Sequence, residues 1–211
     1  MGMAGVRVGT ESNAGTIRDG GRARARPLRV AAVLAALVAA APAARAEGVE
    51  VLVTNRAGAY EVRGRFETAA RLDTVWEVLT DYAHIPSFVE SVKRSDVILR
   101  DSARVQIRQV ASVGVFPLRR TARVMLEVRE HPRARIEFRD LLRENFHIYD
   151  GSWSLGGDST RTVVSYALAA SPRAGTPRWL GRSMLSHSAR DLLTQVRAEI
   201  ERRAATAPQR N

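Results

Sequence analysis

The sequence predicts an α+β domain in which one antiparallel sheet carries its helices on a single face. Three patterns support that expectation. Across residues 95–171, apolar and polar residues alternate in run after run, with turn residues between the runs. Ahead of these runs, Leu72, Val75, Trp76 and Leu79 fall at i, i+3, i+4 and i+7, one face of a helix. Behind them, Leu185, Ala189, Leu192, Leu193, Val196 and Ile200 form a single apolar stripe of helical period. A sheet solvated on one side suits an antiparallel meander. With helices on its other side, such a sheet must curl to bury its apolar face.

The first segment is expected to be an address and not part of this domain. Residues 30–41 read VAAVLAALVAAA, preceded by Arg22, Arg24, Arg26 and Arg29 and followed by Ala44-Arg45-Ala46. This is the order of a secretory signal: a basic region, an apolar region, then small residues at the cleavage site. The apolar run falls short of the roughly 20 residues that a bilayer span needs. Cleavage after Ala46 would place the mature protein in the periplasm or outside the cell. An uncleaved anchor and an amphipathic arm are the alternatives. The stretch before Arg22 is long for a signal, which points to a later start codon. Removing residues 1–46 takes away seven Arg and two acidic residues and lowers the charge from +11 to about +6.

Residues 47–58 are a lead segment, and the domain is expected over residues 59–203. Tyr60, Val62, Gly64 and Phe66 alternate as a strand, and the helix around Leu72–Leu79 follows. Asp81-Tyr82 and Pro86 punctuate it. A second short helix is expected over residues 87–92, with Phe88 and Val92 on one side and Pro86 tolerated at its first turn. Val105, Ile107, Gln109, Ala111 and Val113 alternate, as do Leu118, Arg120, Ala122, Val124, Leu126 and Val128. Ala134, Ile136 and Phe138 face inward, against Arg135, Glu137 and Arg139 outward. Residues 147–155 and 161–170 complete the strands, the last with Thr162, Val164, Tyr166 and Leu168 in phase. Gly114 with Pro117, His131-Pro132 and Gly156-Gly157-Asp158 mark the turns. Thr176-Pro177 is an N-cap followed by proline at the first helical position. The helix over residues 177–203 would span about 40 Å, leaving residues 204–211 as a tail.

Composition excludes several chemistries. With no Cys, disulfide scaffolds, thiolate metal sites and cysteine nucleophiles are ruled out. The basicity rests on 32 Arg and one Lys, a bias that reads as coding composition, so no nucleic-acid partner is expected. His84, His131, His147 and His187 show no zinc spacing. The G-x-S-x-G, phosphate-loop and dinucleotide-loop patterns are missing, so no cofactor is expected and no catalytic residue is assigned. An acid–base pair assembled from distant residues lies beyond what periodicity reveals.

The segment VWEVLTDYAHIPSFVESVKRSDVI carries a more specific signal. Its Val75-Trp76, Leu79-Thr80-Asp81-Tyr82, Pro86, Phe88 and Ser95 resemble the START-like superfamily, in its polyketide cyclase and coenzyme Q-binding branch. A second match is Asp150-Gly151-Ser152-Trp153-Ser154-Leu155. The resemblance covers about residues 59–203 and implies a helix-grip fold, with a curved sheet wrapped around the long last helix and a cavity between them. Members of the superfamily hold lipids, quinones, sterols or polyketides there, and aromatic cyclases do chemistry in it. Toxin-like members act on ribosomes, and the export signal separates this chain from those cytoplasmic relatives.

The resemblance places Tyr82 and Phe88 at the mouth of the cavity. Tyr149, Trp153 and Tyr166 lie on strand rows expected to face the long helix, with Phe138 inward on its own strand. Trp179 and Met184 belong to the start of that helix. Tyr and Trp offer an apolar body with a polar tip, which suits an amphipathic ligand as well as a core. Arg120 shares a row with Leu118, Ala122 and Val124, where a buried guanidinium needs an anionic or carbonyl partner. Asp150 is a candidate partner within the chain. The apolar loop Val113-Gly114-Val115-Phe116-Pro117-Leu118 suits transient contact with an anionic membrane surface. The expectation is a monomeric, exported binder of a lipid, quinone or polyketide-like molecule. The alternatives are a cyclase or dehydratase working in the same cavity and an envelope interaction module without a ligand.

Overall fold

In the computed structural model, residues 48–56, 58–102, 104–113, 120–173 and 178–206 are described. The strands are β1 (Glu50–Arg56), β2 (Ala59–Thr68), β3 (Val92–Arg100), β4 (Val105–Val113), β5 (Arg120–His131), β6 (Arg135–Asp140), β7 (Phe146–Gly157) and β8 (Thr162–Pro172). They form one curved antiparallel sheet in the order β1-β2-β8-β7-β6-β5-β4-β3. Strands β3 to β8 run as a meander of sequence neighbours, and β2 closes against β8. The helices are α1 (Leu72–Thr80), α2 (Ile85–Phe88), which follows a 3-10 turn at Tyr82–His84, and α3 (Arg178–Thr206). This is the helix-grip arrangement, an open sheet around a long C-terminal helix.

Alternation sets the inner face. Val62, Phe66, Val105, Ile107, Ala122, Val124, Leu126, Val128, Ile136, Val164, Tyr166 and Leu168 are all buried there. The α3 stripe meets them through Ala189, Leu193, Val196 and Ile200, and α1 through Val75, Val78 and Leu79. Each large apolar side chain fully enclosed in this way stabilises the fold by about 1.5–3 kcal/mol. Gly64 is the point of closest approach: a Cβ there would lie 2.2 Å from Leu193 Cδ1. A glycine on β2 thus lets α3 lie against the sheet.

Three elements differ from expectation. The lead segment contains β1, whose Val51, Leu52 and Val53 put apolar groups on both faces and mask the alternation. The second helix begins earlier, at Ile85, with Pro86 in its first turn, and it ends at Phe88, since Val89 is already extended. Residues from Val92 on therefore enter β3, an edge strand whose register slips between Val97 and Leu99. Val97, Ile98 and Leu99 stand exposed there.

Ion pairs join the helices. Glu199 is buried and accepts from Arg202 at 2.7 Å and Arg203 at 2.6 Å. Arg203 also donates to Asp81 at 2.8 Å, tying α3 to the turn after α1. The hydrogen bond from Arg202, with further help from Arg203, outweighs burial and holds the Glu199 carboxyl at about 2. Burial opposes ionisation of Asp81, but hydrogen bonds and charges from His84 and Arg203 keep its carboxyl below the usual range. Arg133 turns through a left-handed conformation and pairs with Asp73 at the start of α1.

Candidate functional site

The middle of the inner face is a strip of aromatic rings. Trp153 and Tyr166 face each other across β7 and β8 with centroids 4.6 Å apart. Phe138 lies 6.4 Å from Tyr166, nearly parallel to it, and 6.1 Å from Tyr149. Phe146 closes the strip 4.8 Å from Tyr149. Gly151 makes the arrangement possible, because a Cβ there would lie 2.4 Å from Phe138 Cζ. Tyr166 and Phe146 are buried, whereas Phe138, Tyr149 and Trp153 are only half-buried in mid-sheet. Leu185 and Leu192 of α3 are likewise only partly buried.

Burial raises the Tyr149 phenol to about 12, with the nearby Asp140 charge contributing. Burial likewise pushes the Tyr166 phenol well above its usual range, with Tyr149 adding to it. Both are neutral hydroxyls at physiological pH. Asp140 is itself enclosed, accepting hydrogen bonds from the backbone amides of Met125, Leu142 and Arg143 at 3.0, 3.1 and 3.0 Å.

The structure brings Phe138, Tyr149, Trp153 and Tyr166 together and sets Val124, buried and paired with Gln109, on the adjoining part of the same face. Tyr82 stands apart. Its hydroxyl donates to Glu130 at 2.9 Å, and the Arg100 guanidinium lies 5.5 Å from its ring centre. Its polar tip is thus committed within the protein. Phe88 is half-buried with Arg203 5.9 Å from its ring centre, and Met184 is half-buried on α3. Arg120 belongs to β5, opposite Val113, and Trp179 to α3, but the side chains of both lie outside the described residues. Leu118 and the loop over 113–118 lie outside them as well, apart from the Val113 backbone. Asp150 alternates with the inward Tyr149 and Gly151 and is exposed on the outer face, so it is no partner for an inward Arg120.

Sequence reasoning assigned no site role to Ser95, Gln109 or Phe146. Gln109 donates to Ser95 at 3.2 Å on the inner side of β4 and β3. It sits on an otherwise apolar row, the same signal that singled out Arg120. The register shift between Phe146 and Ile148 hides Phe146 from any alternation count.

Two surface depressions contrast with this wall. One, of about 590 Å³, is lined by Asp101, Arg104, Glu127, Arg129 and Arg139 on the outer side of the sheet. The other, of about 460 Å³, runs along α3 past Arg182, Ser183, Ser186, His187 and Arg190. Both are lined by polar and charged residues. Among the described residues, no three His, Asp or Glu side chains converge on a metal position.

Residues 68–197 match the family described as polyketide cyclase / dehydrase and lipid transport, which is more than half of the chain. The chain belongs to that family. The match agrees with the START-like superfamily that its sequence motifs resemble. A structure from Thermus thermophilus superposes with a TM-score of 0.61 at 19% identity, over 68% of this chain and 99% of that one. An aromatase/cyclase from a Streptomyces species does so at 0.60 and 20%, over 69% and 95%. A STAR-related lipid transfer protein from Xanthomonas axonopodis gives 0.59 and 20%, over 74% and 96%. At such identities the likeness is one of fold. No curated protein sequence matches the chain.

Proposed function

We propose that this member of the polyketide cyclase and lipid transport family carries a hydrophobic or amphipathic small molecule between the inner sheet face and α3, as a monomer outside the cytoplasm. The observation that carries the reading is the partial exposure of Phe138, Tyr149 and Trp153. Aromatic residues at the centre of a filled sheet–helix core would be enclosed, because interiors pack to near-crystalline density. On this reading an apolar ligand would cover their exposed faces, with a few polar groups fixing its orientation. Val124 and Met184 extend the wall and Phe88 belongs to its helical cover, while Leu118, Arg120 and Trp179 are candidates on the sequence pattern alone.

The family description and the names of its Streptomyces and Xanthomonas look-alikes support a ligand in this position. Carriage is preferred to chemistry because the sequence carries no nucleophile motif and no metal-ligand spacing. Export rests on the apolar run over 30–41 and Ala44-Arg45-Ala46. Membrane contact through the loop over 113–118 would deliver the cargo.

The test is native mass spectrometry of the protein purified from its own envelope fraction, followed by solvent extraction. A co-purifying apolar molecule, released unchanged and rebound on addition, is the expected result. Conversion of that molecule on incubation would move the reading to a cyclase or dehydratase. Protein that neither holds nor takes up any apolar molecule would overturn it.

A further inference from the structure

The chain between α1 and β3 is fastened to the core at Tyr82 and Val89, which are 5% and 1% exposed. None of residues 83–88 between them is buried. They include the single turn of α2, and a helix of four residues has no stability of its own. Their polar contacts are local: His84 pairs with Asp81 at 2.6 Å, and the Ser87 hydroxyl donates to the His84 carbonyl at 2.7 Å. A stretch with so little burial belongs to the part of a fold that opens most easily.

Arg203 reaches this stretch from α3. Its guanidinium lies over the Phe88 ring, 5.9 Å from the ring centre. Glu199 at 2.6 Å and Asp81 at 2.8 Å hold that guanidinium in place. A cation fixed over an aromatic face attracts the ring electrostatically. Beyond the second anchor, the Glu90 amide donates to the Gln195 side chain at 2.9 Å, which ties the chain before β3 to α3 as well.

We propose that residues 83–88 form a flap over the mouth of the cavity, hinged beside Tyr82 and Val89, and that Arg203 is its latch. Opening would lift the half-buried Ile85 and Phe88 away from the core and leave the sheet, α1 and both anchors in place. The latch is made within the protein, so it holds the flap shut equally whether the cavity is empty or filled. Weakening it changes how fast a ligand passes and not how tightly the ligand is held. This gating rests on the cavity reading above.

The experiment compares the full chain with Arg203→Gln and with a control, Arg202→Gln. The Arg202 guanidinium pairs with Glu199 alone among the described residues. Hydrogen exchange of the Val89 amide, which donates to the Ile85 carbonyl at 2.8 Å, reads flap opening without any ligand. It should quicken about two- to fivefold in Arg203→Gln, the loss of one partly exposed cation–π contact. The β8 amides should stay as protected as in the parent, which shows that the variant is folded. In stopped flow, uptake and release of N-phenyl-1-naphthylamine, a neutral fluorescent probe, should quicken by the same factor, with Kd unchanged. Arg202→Gln should move none of these. Unchanged Val89 exchange in Arg203→Gln, or equal quickening in both variants, overturns the latch and leaves the cavity standing. Quickened exchange with unchanged probe rates, or release that quickens alone, overturns the gate. Failure of the probe to bind folded protein removes the cavity and the gate together.

Discussion

Replacing Trp153 by alanine separates a ligand wall from a packed core. Trp153 is half-buried, with its ring centre 4.6 Å from that of Tyr166. Phe66, on β2 of the same inner face, is 1% exposed and serves as the control. Truncating a fully enclosed aromatic costs about 3–5 kcal/mol, so Phe66→Ala should lose that much stability. Trp153 is only partly enclosed, so Trp153→Ala should cost less, about 2–4 kcal/mol on the same scale. Its open face would offer a ligand roughly 60–80 Å² of apolar contact, worth about 1.5–2 kcal/mol or ten- to thirtyfold in affinity. Urea denaturation reads the stabilities, and titration with N-phenyl-1-naphthylamine reads the affinities. Trp153→Ala should shift affinity more than Phe66→Ala does, and Phe66→Ala should shift stability more. If Trp153→Ala loses as much stability as Phe66→Ala and binds the probe unchanged, the ring is core and the reasoning fails.

N-terminal sequencing of the mature protein should begin at Glu47; a chain that keeps Ala43 or Arg45 refutes cleavage after Ala46. Gly151→Ala should destabilise by about 1–3 kcal/mol in thermal or urea melts, the usual range for overpacking. The new Cβ would meet Phe138 Cζ at 2.4 Å and the Ala167 carbonyl oxygen at 2.6 Å, and the second of these is backbone. A neutral effect would mean that the strip is loosely packed. Glu199→Gln should cost about 1 kcal/mol at pH 7, a figure reduced for solvent screening because Arg202 is largely exposed. The Glu199 carboxyl is lowered to about 2 in the fold, so its stabilising effect is complete above the ordinary value of 4.5 and disappears as pH falls towards 2. Variant and parent stabilities, measured by urea melts across that range, should converge at the acid end; a gap that persists at pH 2 would show that charge is not the cause.

Much of this fold was legible because its inner rows are clean. Thr162, Val164, Tyr166 and Leu168 read as one face of a strand, and all four are buried. The α3 stripe is equally plain, since Ala189, Leu193, Val196 and Ile200 recur at helical spacing and all face the sheet. Legibility failed where a strand has two apolar faces, as at Val51-Leu52-Val53, or where a bulge resets the phase, as at Val97 and Phe146. The aromatic strip was visible only in part. Alternation identified the inward rings, but the nearness of Phe138 to Tyr149 and Tyr166 depends on strand order and on Gly151. Glu127 shows the limit of pattern reading. It occupies an outward position, yet it is only 7% exposed, because Arg139 at 2.6 Å and Arg104 at 3.6 Å close over it from neighbouring segments.

The strand order also dictates when the molecule can be finished. Strands β3 to β8 each pair with the next in sequence, so that sheet can grow as a series of local hairpins. The β1–β2 hairpin has no place in it until β8 exists, because Val62 pairs with Leu168 and Tyr60 with Ala170. Those partners lie about a hundred residues apart, and closing such a long loop slows folding markedly. The edge of β8 that receives β2 therefore stays open until the last strand and α3 have been made. If the chain crosses a membrane unfolded, as the proposed export requires, this delay would serve it: the β1–β2 hairpin leaves the ribosome without its β8 partner, and the closing contacts form only after the C-terminal end has been delivered.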